Sequence, residues 1–503
     1  MSSSTTPDKK VVAIAGAGPA GLTLAYELAV KAKNIRTILF EASSSIGGLS
    51  RTVPFMGNRI DIGGHRFFSK HPRVLRRWEE IKECKMMQRR RVSRIYYLRK
   101  FFDYPVSLTL HTLKSLGLLR TLRGGLGFLA ARLRPREERN LEDFYINRFG
   151  APLYRMFFED YTEKVWGIHP SKLGAEWGAQ RVKGLSVTAV IKDMLMKWLG
   201  IKEKYTVETS LIEQFTYPKH GPGEYWEATA HEITEAGGEL LLDHPVKYVN
   251  IGRNGKVESI TVTDAEGNEE SVMCDYFASS IPLRDLIKSI RGIEIPEEVK
   301  DAARELPYRD FITVGLLVSE LAIKEKGDGL DQHRKLIPDT WIYVQERGVK
   351  LGRLQIFNNW SPYMVKDAEN TVWIGLEYFC NEGDPLWEMS DSEFINMAIT
   401  ELESIGFIEK DKVLESIRIK VPKAYPGYFG GYSRIEKIRE FLDTIPNLFC
   451  IGRNGQHRYN NMDHSMLTAM EAADCIISGS TDKSHIWNVN TEQDYHEIKG
   501  DPR

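Results

Sequence analysis

The chain has 503 residues, of which 42% are hydrophobic and 27% are charged, and its 68 Lys and Arg residues balance 69 Asp and Glu residues. This composition is ordinary for a globular protein and excludes collagen-like, disordered and disulfide-scaffold proteins. A net charge of −1 gives no electrostatic reason to expect nucleic acid as a partner.

The cysteines and the N-terminus bear on the cellular compartment. The five cysteines have no C-x-x-C spacing, which argues against a disulfide framework and against a structural zinc site, so we predict no metal. The first ten residues are polar and lack the apolar segment of a signal peptide. No window reaches the roughly 18 consecutive apolar residues of a membrane span. These features favour a cytoplasmic protein.

The first predicted elements have the order of a dinucleotide-binding βαβ unit. An apolar strand at 11–15 leads into a turn with glycines at the first, third and sixth positions of 16–21. A helix follows at 22–30, and a second apolar strand at 37–40 ends in Glu41. Strand, glycine turn, helix, strand and acidic residue are therefore all present at the spacing that such a unit requires.

Each glycine of this turn has a physical reason. Gly16 permits the tight turn, Gly18 lets the backbone approach a pyrophosphate, and Gly21 lets the helix pack closely on the strand. The helix N-terminus offers backbone N–H groups to phosphates, and Glu41 offers acceptors to ribose hydroxyls. The other residues predicted to contact the cofactor here are Pro19, Ala20 and Ala42.

Two pairs of adjacent glycines follow closely, Gly47-Gly48 and Gly63-Gly64. Bare backbone repeated just behind a dinucleotide unit suggests a long cofactor with a tricyclic ring, and therefore FAD rather than NAD.

Beyond these turns, residues 70–217 are rich in helix formers and aromatic residues and are predicted to be mostly helical. Within them, 113–134 has the pattern of one or two basic amphipathic helices. Two interpretations stay open for this segment: a helix pair packed on the protein surface, or a peripheral contact with a membrane face or a lipid-linked substrate.

The rest of the chain returns to strands. Predicted strands lie at 239–242, 245–250, 259–262, 277–282, 312–318, 341–344, 354–357, 372–379 and 449–452, and a last helix lies at 467–477.

This order predicts an α/β fold with a discontinuous Rossmann-type FAD-binding domain at 8–70, 236–290 and 445–480. A mostly helical domain at 71–235 and an antiparallel-sheet substrate domain at 291–444 are inserted between its parts. A polar tail, expected to be frayed, occupies 481–503.

With these motifs the chain resembles the FAD-dependent superfamily that contains amine oxidases, protoporphyrinogen oxidase and UDP-galactopyranose mutase. In that superfamily the first glycine pair supports the FAD pyrophosphate, and the loop of the second pair lies beside the isoalloxazine. A later strand, matched here by Pro245-Val246, flanks the adenine. The resemblance therefore implies FAD contacts by Gly47, Gly48, Leu49, Ser50, Gly63, Gly64, His65 and Val246.

Three further stretches resemble UDP-galactopyranose mutases in particular. The first starts at Tyr161-Thr-Glu-Lys-Val-Trp and continues to Arg181, and the second combines Tyr343 and Arg353 with the segment 357–363. The third joins Tyr425-Pro426 to the segment 452–463. The resemblance extends over most of the chain.

The resemblance to the mutases implies a role for each matching residue. Arg181 and Arg353 would grip the diphosphate of the substrate, and two guanidiniums suit such a bidentate clamp. Tyr343, Tyr425 and Tyr459 would donate hydrogen bonds to the same group. The residues implied to act beside the flavin, as cofactor ligands or in catalysis, are His65, Gly452, Arg453, Asn461, Met462, Asp463 and Ser465.

The activity implied by the resemblance is a pyranose–furanose isomerisation of a diphosphate-linked sugar, in which N5 of reduced, non-covalently bound FAD attacks the anomeric carbon. Two alternatives stay open. The first is an FAD-dependent oxidoreductase resembling amine oxidase or protoporphyrinogen oxidase. The second is a flavoenzyme acting on a lipid-diphosphate-linked sugar, because the segment 104–110 is apolar at the points where the mutases have Gln or Asn, and Met462 stands where they have an amide. The oligomeric state is not predicted.

Overall fold

The structure is a computed structural model that describes residues 9–32, 34–104, 110–175, 214–323 and 336–490.

Strands are spread over most of the described chain. Their bounds are β1 (Lys10–Ala15), β2 (Ile35–Phe40), β3 (Thr52–Phe55), β4 (Asn58–Asp61), β5 (Met86–Arg90), β6 (Ser93–Tyr97), β7 (Lys100–Asp103), β8 (Gln214–Pro218), β9 (Glu239–Leu241), β10 (Val246–Ile251), β11 (Val257–Thr263), β12 (Glu269–Met273), β13 (Tyr276–Ser279), β14 (Ile290–Arg291), β15 (Tyr308–Val318), β16 (Trp341–Val344), β17 (Arg353–Ile356), β18 (Val372–Cys380), β19 (Val413–Pro426) and β20 (Leu448–Cys450).

Helices alternate with these strands. Their bounds are α1 (Pro19–Lys31), α2 (Pro72–Glu80), α3 (Leu110–Leu116), α4 (Leu118–Leu133), α5 (Leu141–Phe149), α6 (Ala151–Phe157), α7 (Glu159–Trp166), α8 (Pro222–Glu235), α9 (Leu283–Ser289), α10 (Glu297–Arg304), α11 (Phe357–Trp360), α12 (Pro385–Glu388), α13 (Asp391–Ser404), α14 (Ile435–Asp443), α15 (Gly452–Gly455), α16 (Met462–Ser478) and α17 (Ser484–Asn488). Within the described ranges, no helix combines the length and the apolar character that crossing a bilayer requires.

A five-stranded parallel sheet forms the first layer. Its strand order is β20-β13-β1-β2-β9, so three distant parts of the chain build one sheet. Val12 and Ile14 face the helices α1 and α16, whereas Ala13 and Ala15 face a second core beneath β10 and β11. Both faces of β1 are therefore buried, which explains why its sequence is a continuous apolar run rather than an alternating one.

A seven-stranded sheet forms the second layer, in the order β19-β15-β18-β17-β16-β6-β7. Its pairs are antiparallel except for the parallel pair of β16 with β6. One face of this sheet packs on α13 through the core around Leu354, Leu376 and Phe394. The opposite face carries the polar side chains described below.

The predicted α/β class, the βαβ unit and the strands from 239 onward are confirmed. The described parts of residues 71–235 contain strands beside the predicted helices, since β6 and β7 join the seven-stranded sheet and β5 pairs with β8. The domain boundaries themselves stay a prediction.

The expectation of a frayed tail directly after the last predicted helix is wrong for residues 481–490. Ile486 and Trp487 are buried, and the Arg458 guanidinium donates hydrogen bonds to the carbonyls of Trp487 and Val489. The Asn490 amide donates to the Tyr459 carbonyl at 3.2 Å. This short segment therefore fixes the loop that carries Tyr459, because two apolar side chains among polar neighbours are enough to anchor it.

Candidate active site

A cavity of about 610 Å³ lies at the carboxyl ends of β1, β2, β13 and β20, where the parallel sheet meets the seven-stranded sheet. Ligands of open α/β sheets bind at this edge, because the loops that leave the strands converge there.

Most of the residues predicted to bind cofactor or substrate line this cavity. They are Gly16, Gly18, Pro19, Ala20, Glu41, Ala42, Gly48, Leu49, Ser50, Gly63, Gly64, His65, Val246, Arg353, Tyr425, Gly452, Arg453, Tyr459, Asn461, Met462, Asp463 and Ser465. Gly21, Gly47 and Tyr343 lie outside its lining, and Arg181 lies outside the described residues.

The phosphate end of the cavity is a helix N-terminus surrounded by bare backbone. Helix α1 begins after Gly18, has no side-chain cap and carries no acidic residue in its first turn. Gly18 and Gly48 face each other, and a Cβ built on Gly48 would lie 3.1 Å from the Gly18 Cα. This arrangement leaves room and N–H donors for a pyrophosphate.

The other glycines of the turns have structural reasons. Gly16 has a φ of +97°, and a Cβ on Gly21 would lie 1.8 Å from the Gly16 carbonyl oxygen. Gly47 has a left-handed backbone conformation and precedes the short helical turn at 48–50. Its N–H donates to the Ala17 carbonyl at 2.8 Å, which ties this turn to the loop after β1.

Glu41 is placed by backbone hydrogen bonds at the end of β2. One of its carboxylate oxygens accepts from the Ala17 N–H at 2.7 Å, and the other accepts from the Ser43 N–H at 3.0 Å and the Ser43 hydroxyl at 2.7 Å. These bonds hold the carboxylate at the cavity wall, where a ribose can reach it.

A second helix N-terminus, that of α16, reaches the cavity opposite α1. The Asn461 side chain caps α16 in a reciprocal arrangement with His464. Burial raises the pKa of Asp463, which lies beside His464. Both predicted residues are thus at the cavity, where Asn461 positions the helix and Asp463 is a buried carboxyl group.

At the ring end of the cavity, the loop after β4 brings His65 to the wall. Its Nε2 lies 2.7 Å from the Ile62 carbonyl oxygen, and burial lowers the pKa of His65 to about 4. A Cβ on Gly64 would lie 2.3 Å from the Trp341 ring, so this glycine is required by the indole packed on it. His65 is therefore a neutral imidazole at neutral pH.

The register of the seven-stranded sheet brings together a polar group near the loop after β4. Tyr343 on β16 is directly opposite Arg353 on β17, and Arg353 is directly opposite Glu377 on β18. The three side chains therefore form one row across the strands.

Arg353 is the centre of a buried hydrogen-bonding cluster. Its Nε donates to the Tyr161 hydroxyl at 3.1 Å, and its Nη1 contacts the Tyr425 hydroxyl at 3.4 Å and the Glu377 carboxylate at 3.2 Å. Glu377 also accepts from the Gln355 amide at 2.8 Å. Burial raises the pKa of Glu377 although Arg353 opposes this effect, and burial raises the pKa of Tyr161 to about 12.

A second arginine lies across a pair of tyrosines from the first. Tyr425 and Tyr459 are stacked with ring centroids 5.7 Å apart, and the Arg453 guanidinium lies 4.8 Å from the Tyr459 ring centroid. Arg453 donates to the carbonyls of Asn460 and Ala424 at 2.8 and 3.1 Å. Arg353, Arg453 and the two tyrosines all line the cavity.

Tyr343 is set back behind this group. It stacks on Tyr104 at 4.3 Å and lies parallel to Trp341 at 6.1 Å, so it extends an aromatic wall rather than the cavity lining. The structure does not bring Tyr343 into the cavity lining.

Sequence reasoning missed Tyr161, Trp341 and Glu377 as members of the site. Glu377 had a detectable signal, because it is the one charged residue in the buried strand β18. A charge in such a strand requires a partner. Trp341 had none, since its strand also reads as ordinary core. Tyr161 opens the first stretch that resembles the mutases, but the resemblance assigned it no role.

Comparisons with known proteins agree with this geometry. The model of the family described as flavin containing amine oxidoreductase matches residues 19–477. The crystal structure of a reduced UDP-galactopyranose mutase superposes with a TM-score of 0.77 over 96% of this chain and 97% of that chain, at 22% identity.

Other similar proteins are redox enzymes by name. A proposed protoporphyrinogen oxidase from Exiguobacterium sp. 255-15 has a TM-score of 0.65 at 17% identity, over 95% of this chain and 100% of that chain. A 15-cis-phytoene desaturase from Synechococcus elongatus is 23% identical over 326 residues, which are 59% of this chain. The chain spans 61% of the length of that curated relative.

Proposed function

The chain belongs to the flavin containing amine oxidoreductase family and uses FAD, and from this premise we propose that it is a UDP-galactopyranose mutase-like enzyme. It would interconvert the pyranose and furanose forms of a diphosphate-linked sugar. The observation that carries the proposal is the group of Arg353, Tyr425, Tyr459 and Arg453 in the same cavity as the FAD-binding turns. A diphosphate needs such donors, whereas an amine substrate does not.

FAD, when bound in its reduced form, supplies the nucleophile for this chemistry. The residues of the chain bind and orient the substrate. Arg353 and Arg453 offer positive charge that cannot be lost by deprotonation, and the hydroxyls of Tyr425 and Tyr459 offer neutral donors between them. His65, whose pKa is lowered by burial, is neutral and adds no positive charge of its own at the ring end of the cavity.

Glu377 sets the charge balance at this site. It pairs with Arg353 in the structure, so one of the three arginines that line the cavity, Arg66, Arg353 and Arg453, is already neutralised. We propose that the diphosphate competes with Glu377 for the Arg353 guanidinium. The raised pKa of Glu377 favours this exchange, because a carboxyl group that takes up a proton releases its hold on the guanidinium.

The Arg353–Glu377 pair also favours a second candidate, an FAD-dependent oxidoreductase. A neutralised arginine beside the aromatic wall of Trp341 and Tyr343 leaves a surface that an uncharged, apolar substrate can occupy. The third candidate, a sugar on a lipid diphosphate, would use the same arginines with a different carrier.

Anaerobic incubation with UDP-galactose distinguishes the first two candidates. Holoprotein reduced with dithionite should form a furanose product, resolved by chromatography, while the flavin stays reduced and no reductant is consumed. Oxidised holoprotein is the matched control and should form none. Stoichiometric consumption of substrate and electron acceptor would contradict the mutase proposal. Turnover of a polyprenyl-diphosphate sugar without any turnover of UDP-galactose would assign the third candidate.

A further inference from the structure

Helix α4 has its apolar face on the outside. Six leucines of this helix are between 55% and 82% exposed: Leu118, Leu119, Leu122, Leu126, Leu129 and Leu133. At 3.6 residues per turn they fall within one arc of about 100°, so they form a continuous leucine stripe along the helix. An exposed apolar stripe of this kind marks an interaction surface.

The inner face of α4 explains why the leucines point outward. Its buried residues are Gly124, Phe128 and Ala131, and a Cβ on Gly127 would lie 2.3 Å from the Pro152 ring. The helix is therefore held on α5 and α6 by small residues at close approach. The leucines take no part in this contact, so the core does not account for them.

Arginines lie on both sides of the leucine stripe. Arg123 lies along one side and Arg132 along the other, at the angular positions that the helical repeat gives them, and Arg134 follows directly after the last residue of the helix. All three are exposed, and within the described part of the chain none of them forms an ion pair with a carboxylate. An apolar face flanked by arginines is the pattern of a helix that lies in a membrane interface.

The charge of the surrounding sequence is also one-sided. Between Asp103 and Glu137 the chain has six Lys and Arg residues and no Asp or Glu, although the whole chain is balanced at −1. This segment is therefore complementary to an anionic surface. Two copies of the stripe facing each other would bring arginines together without acidic partners on α4, which disfavours a second copy as the occupant.

We propose that α4 docks on the surface of an anionic bilayer, with the leucine stripe among the acyl chains and the arginines at the headgroups. The proposal is independent of the substrate. Leu116, at the end of α3, packs in the cluster that also contacts Tyr343, so the docked helix is attached to the strands that carry the aromatic wall.

Vesicle binding by the full-length FAD-loaded protein tests the proposal. The protein should sediment with phosphatidylcholine vesicles that contain 30 mol% phosphatidylglycerol, less with phosphatidylcholine alone, and less again at high salt. The variant Leu122→Ser/Leu126→Ser/Leu129→Ser should bind at least about tenfold more weakly. The matched control is Leu414→Ser, which changes a leucine 51% exposed on another face and should bind as wild type. Unaltered binding by the triple variant would overturn the proposal.

A fluorophore attached to the variant Leu126→Cys distinguishes an anionic bilayer from the other groups that could cover the leucine stripe, which are another part of this chain or a second copy. The five native cysteines are buried, so the introduced thiol can be labelled selectively. Emission should shift to the blue only when anionic vesicles are added. Failure to label in the free protein, with Leu414→Cys labelled normally, would show that residues 176–213 or another part of this chain cover the stripe. A wild-type dimer that the triple Ser variant converts to a monomer, without vesicle binding, would assign a second copy. Either result contradicts the proposal.

Discussion

Arg353 and Glu377 show how one buried pair can serve both stability and binding. Both groups are almost fully withdrawn from water, with side-chain exposures of 11% and 0%. Removing one partner of such a pair leaves an uncompensated buried charge, which costs about 3–5 kcal/mol. An arginine predicted from sequence as a simple substrate ligand is therefore also part of the fold.

This pairing changes the outcome expected for Arg353→Ala. The single variant should lower the free energy of unfolding, whereas Arg353→Ala/Glu377→Gln should recover most of the loss because no charge is left unpaired. The double variant should still bind UDP-galactose about ten- to a hundred-fold more weakly, since a charge-assisted hydrogen bond contributes roughly 1.5–3 kcal/mol. Urea unfolding and titration of the flavin absorbance measure the two effects. Wild-type affinity in the double variant would contradict a diphosphate ligand at Arg353.

His65 gives the protein a pH dependence of known sign. Its pKa is lowered by burial to about 4 in the folded protein, below the ordinary value of 6.5. As the pH falls, the unfolded chain takes up this proton first, so the stability that His65 confers is full above pH 6.5 and is lost toward pH 4. Between pH 7.5 and 5 the loss should be about 2 kcal/mol.

Urea unfolding of His65→Gln and wild type at both pH values measures this contribution. The variant should lose less stability on acidification than the wild type. His231→Gln, which removes a histidine with a half-exposed side chain, is the matched control and should behave as wild type. His457, whose pKa is also lowered to about 4, is present in all three proteins and cancels. An equal loss of stability in wild type and His65→Gln would show that His65 takes up its proton as readily in the folded protein as in the unfolded chain, which contradicts a lowered pKa.

At the scale of elements, mutation can separate two roles of the glycine turn. Gly18 leaves room for the cofactor, and Gly21 lets α1 pack closely on β1. A Cβ on Gly18 would meet only the Gly48 Cα, at 3.8 Å, so the apoprotein has room for it. A Cβ on Gly21 would meet the Gly16 carbonyl oxygen at 1.8 Å, so the packing of α1 on β1 has none. The constraint on Gly18 therefore comes from the cofactor and that on Gly21 from the fold.

Gly18→Ala should leave the melting temperature of the apoprotein unchanged and weaken FAD binding by at least about a hundredfold. Gly21→Ala should lower the melting temperature with and without FAD. Differential scanning fluorimetry of both apoproteins, followed by fluorescence titration with FAD, measures these effects. Retention of wild-type FAD affinity by Gly18→Ala would contradict a pyrophosphate at this turn.

The elements that could be predicted from sequence are those with strong local patterns. The βαβ unit has its glycines and its continuous apolar strands. The inner strands of the seven-stranded sheet have β-branched and aromatic runs. Strand β19, the outermost strand of its sheet, was not predicted, although the alternation of polar and apolar residues over 415–421 is itself a strand signal. The register that places Tyr343, Arg353 and Glu377 in one row is a property of three strands together, so no single segment reveals it.

At the scale of the whole molecule, the cavity joins parts of the chain that are far apart in sequence. Its wall combines the turn at 15–20, the loop at 62–66, Arg353 and the segment 452–465. A cofactor in this cavity would contact both sheets, and it would contact segments from the N-terminal and the C-terminal parts of the chain. Its binding energy is then shared by all of them, because a ligand that binds only the folded state stabilises that state as a unit.

Hydrogen exchange with and without FAD tests this coupling. FAD added to the apoprotein at 1,000 times its dissociation constant should stabilise the fold by about 4 kcal/mol. The added protection should appear together in the peptides that cover 15–20 and 452–465, because both segments line the cavity. Apoprotein of Gly18→Ala, given the same FAD concentration, should gain less protection in both segments, at most about 1.4 kcal/mol, because that concentration is no more than about ten times the dissociation constant of the variant. Protection confined to the N-terminal segment would contradict a cofactor that spans the cavity, because helix α16 would then make no contact with it.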